Sequence, residues 1–170
     1  MRVWGPPEEA ETAVVRDPGE PLEAFVRRLA RAKAEAVIAA GGGGLILACD
    51  TLAEVDGEPL GKPADRADAR RMLAALSGRE HRVVSGVCLW RHPGSEPALA
   101  DAESVLAMAP LTDEFLDWYL ATGLWEGKAG ACGFQDERLP LRLVSGSPSN
   151  VVGLPLELVR EMLADLDRTA

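Results

Sequence analysis

The sequence predicts an α/β domain in which a mixed β-sheet is flanked by helices. Short apolar runs typical of strands alternate along the chain with segments whose apolar residues recur every three or four positions, as in amphipathic helices. Glycine, proline and an Asp-Gly pair separate these segments. The length of 170 residues is enough for one domain with a substantial core, and no repeat or linker divides it. We therefore expect a single domain over residues 1–170.

The composition excludes several classes of partner. A net charge of −9 provides no basic surface for nucleic acid or for an anionic membrane. No apolar run approaches the roughly twenty residues of a membrane span, and the N-terminus lacks a signal-peptide core. The cysteines Cys49, Cys88 and Cys132 are widely spaced and odd in number, which favours reduced thiols over disulfides or zinc ligands. We expect a cytoplasmic protein without nucleic-acid or membrane partners.

The first helical pattern begins at Pro21, after an irregular acidic segment that includes Glu11. Its apolar residues follow a helical period through Val37, and charged residues occupy the opposite face. Lys33 lies on or beside the apolar face, where an ammonium group requires an anion or a cavity. The alternative is that Lys33 extends along the edge of this face into solvent.

Residues 45–63 contain an acid and a base at the two ends of one predicted hairpin. The uninterrupted apolar run 45–49 predicts a strand buried on both faces, which ends at Asp50 and Thr51. Asp56-Gly57 predicts a tight turn, after which Lys62 returns towards the end of that strand. A carboxylate, a hydroxyl and an ammonium group would then meet at one edge of the sheet. An ordinary buried strand with a surface lysine fits this stretch equally well.

The rest of the chain continues the alternation of strands and helices. Capping residues predict a helix between Asp65 and Gly78 and another that begins at Thr112. The further predicted elements are strands at 81–90, 98–108 and 139–144, a loop at 145–150 and a final helix after Pro155.

A stretch rich in small residues, 126–135, surrounds Lys128 and ends at Gln135. Small residues allow a backbone to approach a ligand closely, although they also suit a tightly packed crossover. Lys33, Lys62 and Lys128 are the only lysines, and Gln135 is the only glutamine. Because arginine does not replace lysine freely at phosphate sites, these rare residues are candidates for a functional role.

Several short motifs occur in a characteristic order. They are Leu29-Ala30 with Lys33-Ala34, Asp50-Thr51, Asp56-Gly57 with Gly61-Lys62-Pro63, Leu76-Ser77-Gly78 with His81, Lys128-Ala129-Gly130 with Gln135, and residues 149–155. Together they resemble the Maf family of nucleoside triphosphate pyrophosphatases, relatives of the inosine triphosphatase fold. The resemblance implies an elongated sheet, a homodimer, and house-cleaning hydrolysis of a nucleoside triphosphate to monophosphate and pyrophosphate. It also implies a divalent metal, Mg²⁺ or Mn²⁺.

The resemblance also assigns roles to individual residues. Asp50 and Glu11 would hold the metal or activate the attacking water. Lys33 and Lys62 would neutralise the triphosphate and the departing pyrophosphate. Thr51, Lys128 and Gln135 would bind phosphate or base. Ser149 and Asn150 resemble a structural turn more than a catalytic pair.

Two differences from the family pattern motivate an alternative. The usual N-terminal strand and Ser-x-Ser-Pro-Arg-Arg phosphate loop do not occur in this sequence, from which we expect either a longer natural chain or a loss of that segment. In addition, Gly127 stands where the family usually has Asp, and Cys132 where Tyr is common. The alternative is a catalytically impaired nucleotide-binding or regulatory protein.

Overall fold

The computed structural model describes residues 14–168, which contain both helices and strands. The helices are α1 (Leu22–Ala39), α2 (Arg66–Leu76), α3 (Asp113–Ala121), α4 (Pro148–Val151) and α5 (Leu156–Arg168), with a 3₁₀ turn at Ala129–Ala131. The strands are β1 (Gly44–Val55), β2 (Glu58–Leu60), β3 (Glu80–His92), β4 (Ala98–Met108) and β5 (Leu141–Ser145). No described helix is long and apolar enough to cross a membrane.

Capping side chains start the helices where the sequence predicts. The Asp65 side chain accepts a hydrogen bond from the Asp68 amide at the start of α2, and Thr112 accepts one from the Phe115 amide at the start of α3. The prediction of a loop over residues 145–150 was wrong in part, because Pro148–Val151 forms one helical turn. Proline suits its first position, and Ser147 caps it by accepting from the Asn150 amide.

The five strands form one sheet in the order β2-β1-β3-β4-β5. β1 and β2 pair antiparallel with Val55 opposite Glu58. The two residues between them, Asp56 and Gly57, have φ angles of 53° and 82°, as a tight hairpin turn requires. β4 and β5 are also antiparallel. The predicted α/β class, a sheet flanked by helices, is confirmed.

The prediction that residues 45–49 are buried on both faces was wrong. Ile46 is 7% exposed, whereas Leu45 and Leu47 are 49% and 43% exposed. Successive side chains of a strand point to opposite faces, and α1 packs against the face that carries Ile46. An apolar run without polar interruption therefore does not ensure burial on both sides.

The chain divides into two compact units. The first consists of the described residues up to Thr51, Ser85–Ala102, and the described residues from Gly153 onwards. In it, α1 packs on one face of the strands through Ala30, Ala34 and Cys88. Buried Val159 and Met162 of α5 pack with Val87 and Leu89 of β3. Since Val87 and Cys88 are neighbours on one strand, the two helices cover opposite faces.

The second unit consists of Leu52–Val84 and Glu103–Val152. Its core contains fully buried side chains from α2 and α3, including Leu73, Leu76 and Tyr119, and these pack with Leu106 of β4. The 3₁₀ turn joins this core through Ala131. The stretch of small residues that carries Lys128 is thus packed against the helices of its own unit.

Candidate active site

An ion pair between Lys33 and Asp50 lies in the first unit. The Lys33 Nζ is 2.5 Å from the Asp50 Oδ1, and the two side chains are only 16% and 13% exposed. The same ammonium group donates to the Cys49 carbonyl oxygen at 3.4 Å. Of the two interpretations of Lys33, the structure supports the one in which it meets an anion.

The periods of a helix and a strand bring these two side chains together. Ile46, Ala48 and Asp50 alternate along β1, so all three point to the face on which α1 packs. Lys33 lies on α1 next to the buried Ala34. The Lys33–Asp50 ion pair therefore lies at the end of the apolar contact between α1 and β1.

Thr51 points to the opposite face of β1 and contacts Ser85 of β3. The two hydroxyl oxygens are 2.7 Å apart, and the Thr51 Oγ1 donates to the Gly153 carbonyl oxygen at 3.4 Å. Because Thr51 has one hydroxyl proton, the Ser85 hydroxyl donates to Thr51 when Thr51 donates to Gly153. Ser85 is fully buried, and it is not among the residues predicted from the sequence. The available signal was a single hydroxyl in an apolar strand, which needs a hydrogen-bond partner when buried.

The three cysteines are thiols at neutral pH. Burial raises the pKa of Cys49 to about 11. Burial likewise raises the pKa values of Cys88 and Cys132 to about 11. Since the thiolate is the nucleophile and the metal ligand, these side chains are poorly suited to either role.

The second unit contains Lys62, Lys128 and Gln135. Lys62 and Gln135 are exposed, and Lys128 is half-buried. The Gly130 amide donates to the Gly61 carbonyl oxygen at 3.0 Å, which ties the segment after Lys128 to the residue before Lys62. The backbone thereby connects the surroundings of two of the predicted cations.

The side chain of Lys128 lies over Gly133. A Cβ atom at position 133 would be 3.1 Å from the Lys128 Nζ and 3.1 Å from its Cδ. A larger residue there would have to displace the lysine stem. Packing of Lys128 is thus one reason for the small residues in this stretch.

Asp136, next to Gln135, anchors this loop. It is 9% exposed and accepts hydrogen bonds from the Arg138 Nε at 2.8 Å and from the Arg138 amide at 3.2 Å. Burial alone would raise the pKa of Asp136, but the Arg138 hydrogen bonds and the charges of Arg138 and Lys128 together lower it. An ionised Asp136 therefore fixes the backbone beside Gln135.

The predicted metal ligands are described only in part. Glu11 lies outside the described residues. Within residues 14–168, no group of three or more His, Cys, Asp or Glu side chains is arranged to hold a metal ion. Asp50 supplies one carboxylate. This oxygen chemistry fits Mg²⁺, which keeps several waters and commonly binds through one or two carboxylates together with substrate phosphates.

Comparison with known proteins identifies the family of this chain. A family model described as Maf-like protein matches residues 5–166. The chain belongs to the Maf-like family. The match spans nearly the whole sequence, including both units, and confirms the family predicted from the motifs.

Individual relatives provide closer comparisons. The chain is 49% identical over 150 residues to the dTTP/UTP pyrophosphatase of Anaeromyxobacter sp. (strain Fw109-5), a match that covers 86% of this chain and 71% of that protein. It is 48% identical over 158 residues to the dTTP/UTP pyrophosphatase of Symbiobacterium thermophilum, covering 92% of this chain and 79% of that protein. It is 38% identical over 135 residues to the dTTP/UTP pyrophosphatase of Pyrococcus horikoshii, covering 79% and 72%. The predicted nucleoside triphosphate pyrophosphatase activity agrees with these relatives, and the comparisons give no support to the catalytically impaired alternative.

Proposed function

We propose that this Maf-like chain is a pyrophosphatase that hydrolyses dTTP and UTP to the nucleoside monophosphate and pyrophosphate. The observation that carries the proposal is the 49% identity to a dTTP/UTP pyrophosphatase over 86% of the chain. The Lys33–Asp50 pair supplies chemistry suited to it, since it joins an anionic oxygen to a cation in a partly dry environment.

The carboxylate of Asp50 is proposed to orient the attacking water and to accept its proton. A carboxylate acts as a base when it lies within hydrogen-bond reach of the water, and it orients that water in the same contact. Lys33 holds Asp50 in place before substrate binds. Its ammonium group is proposed to attract the phosphate oxygens once substrate is bound. Preorganised cations stabilise the charge that develops on a departing pyrophosphate.

Three groups of the second unit are proposed to bind substrate. Exposed Lys62 is suited to neutralise a phosphate oxygen, because a lysine ammonium group is a compact point charge on a flexible stem. Lys128 and the exposed Gln135 are proposed to bind phosphate or base. Thr51 is proposed to act in the first unit, where its hydroxyl contacts Ser85.

A divalent metal, Mg²⁺ or Mn²⁺, is proposed to bind through Asp50 and Glu11. Such an ion, when bound, supplies positive charge to the phosphate oxygens and lowers the pKa of a bound water. The family resemblance also leads us to propose a homodimer in the cytoplasm. These statements rest on the resemblance and on the oxygen chemistry of Asp50.

A panel of nucleoside triphosphates tests the proposed substrate. The purified chain is incubated with Mg²⁺ and dTTP, UTP, CTP, ATP or GTP, and the products are separated by ion-exchange chromatography. We expect monophosphate and pyrophosphate in equal amounts, with kcat/KM for dTTP and UTP at least about tenfold above the other three, or about 1.4 kcal/mol of discrimination. Equal kcat/KM values for all five nucleotides would contradict the proposed preference for dTTP and UTP. Nucleotide binding without release of pyrophosphate would contradict the proposed activity.

A further inference from the structure

Gly86 of β3 lies directly beneath the backbone of α1. A Cβ atom added at Gly86 would be 2.2 Å from the Val26 carbonyl oxygen, 2.3 Å from the Val26 carbonyl carbon and 2.6 Å from the Arg27 amide nitrogen. Real Cβ atoms essentially never approach other atoms within 3.0 Å. Any side chain at this position must therefore separate the helix from the strand.

The closeness of α1, and not an unusual backbone conformation, requires glycine here. Gly86 is not among the glycines with positive φ angles. The atoms that a Cβ would meet belong to the backbone of a helix, and Val26 is fully buried, so no flexible side chain is available to move aside. The obstruction is therefore rigid.

The same helix carries Lys33. Lys33 follows Val26 by seven residues, which is about two helical turns, so both residues lie on one side of α1 about 10 Å apart along its axis. Between them, Ala30 is fully buried and packs with Ala34, Ile46 and Cys88. The small side chains of Ala30 and Ala34 thus allow α1 to stay close to the sheet from Gly86 towards Lys33.

We propose that Gly86 is a positioning residue for the reaction, because it sets how closely α1 approaches the sheet and thereby holds the Lys33 ammonium group at Asp50. The inference rests on the proposed function, in which Lys33 and Asp50 act on the substrate. The Lys33–Asp50 distance is 2.5 Å and both side chains are largely buried, so a displaced helix would have to lengthen this contact or rearrange the lysine stem.

A comparison of four proteins tests this coupling: the native chain, Gly86→Ala, Lys33→Met and the double variant. We expect Gly86→Ala to lower kcat/KM for dTTP at least about tenfold, because small misplacements of catalytic groups are costly. In the Lys33→Met background, the same change is expected to lower it less than about twofold. An equal loss in both backgrounds, or no loss in the native background, would overturn the proposal.

Two controls separate positioning from general destabilisation. Gly43→Ala adds a Cβ whose nearest contact would be the His92 carbonyl oxygen at 3.4 Å, and it is expected to leave kcat/KM within about twofold. Cys88→Ala removes volume from the same interface without pushing α1 outwards, so it is expected to lower Tm while retaining activity. A loss of activity in Cys88→Ala equal to that in Gly86→Ala would argue against positioning.

A second variant covers the case in which Gly86→Ala does not fold. Ala30→Val adds two methyl groups to the α1 interface from the helix side. It is expected to reproduce the loss of activity that depends on Lys33. A folded Ala30→Val protein with full activity would overturn the proposal.

A stability measurement keeps this inference separate from the proposed function. Coupling between Lys33→Met and Asp50→Asn in thermal unfolding is measured with and without Gly86→Ala. We expect the coupling to be present in the native background and absent alongside Gly86→Ala. Coupling that persists would overturn the role of Gly86, whereas absence of pyrophosphate release by the native chain would contradict only the proposed function.

Discussion

The ammonium group of Lys33 and the carboxylate of Asp50 are both largely withdrawn from water. Removal of either partner would leave the other as a poorly hydrated charge, which costs about 1–3 kcal/mol for a group still partly exposed. Each of the two charges therefore stabilises the other in the folded chain.

His81 provides a pH-dependent test at the scale of one residue. It is 3% exposed, and burial lowers its pKa from the ordinary 6.5 to about 4. Between these values the unfolded chain binds more protons than the native one, so stability is complete above pH 6.5 and falls as the pH drops towards 4. We expect His81 to account for a loss of up to about 3 kcal/mol, measured by urea unfolding at pH 7.5 and pH 4.5.

Replacement of the histidine isolates this contribution from the titrating carboxylates. His81→Gln is expected to reduce the difference in unfolding free energy between the two pH values. An unchanged difference in His81→Gln would show that His81 does not titrate between folded and unfolded states as expected.

The sequence predicts single residues well when a buried charge breaks a periodic pattern. Lys33 was identified because it occupies the apolar side of α1, and its anion is Asp50 at the end of an apolar run. Ser85 was not identified, because one hydroxyl in an apolar strand gives no indication of the strand that supplies its partner. Gly86 was missed for a related reason, since its role depends on how closely α1 packs.

At the scale of elements, the buried Asn150 side chain joins α4 to the sheet. The Asn150 Nδ2 donates to the Val83 carbonyl oxygen at 3.1 Å and to the Ser104 Oγ at 2.9 Å, so α4 is joined to β3 and β4. The Ser104 hydroxyl also accepts from the Ser147 amide at 3.1 Å. This network supports the interpretation of Asn150 as a structural residue.

Asn150→Ala is expected to lower the free energy of unfolding by about 2–3 kcal/mol. The change removes two hydrogen bonds and leaves the Val83 carbonyl oxygen with a lost partner at a site that is 1% exposed. Chemical denaturation monitored by tryptophan fluorescence measures the loss.

A neighbouring apolar residue provides the control for Asn150. Val152 follows the same turn and is 54% exposed, so Val152→Ala is expected to change the unfolding free energy by less than about 0.5 kcal/mol. If Asn150→Ala were as mild as Val152→Ala, the network would not be stabilising α4.

Local chemistry in the sequence predicts where helices and turns begin, but it does not predict which strand side chains are buried. Caps and turns at Asp65, Thr112 and Asp56-Gly57 act within a few residues, so the sequence indicates them directly. Exposure of Leu45 and Leu47 depends on which face of β1 is covered, and that depends on distant elements. The single turn α4 was missed because a four-residue helix has too few positions to show a period.

At the scale of the whole molecule, the proposed function requires an acidic chain to bind an anionic substrate through a few local cations. The net charge is −9, yet all three lysines were assigned to the candidate site. Lys33 lies in the first unit, and Lys62 and Lys128 lie in the second. Lys33 stands out by its place on the apolar side of α1, whereas the roles of Lys62 and Lys128 come from the order of motifs along the chain.

The central claim is that Asp50 acts in pyrophosphate release by a Maf-like pyrophosphatase. The most direct test is the rate of pyrophosphate release from dTTP by the native chain and by Asp50→Asn, with Asp101→Asn as the matched control. Asp101 also forms an ion pair in the first unit, with Arg27, and its side chain is 26% exposed. We predict a loss of at least about 10²-fold for Asp50→Asn and less than about twofold for Asp101→Asn. Pyrophosphate release that is unchanged in Asp50→Asn would contradict this account.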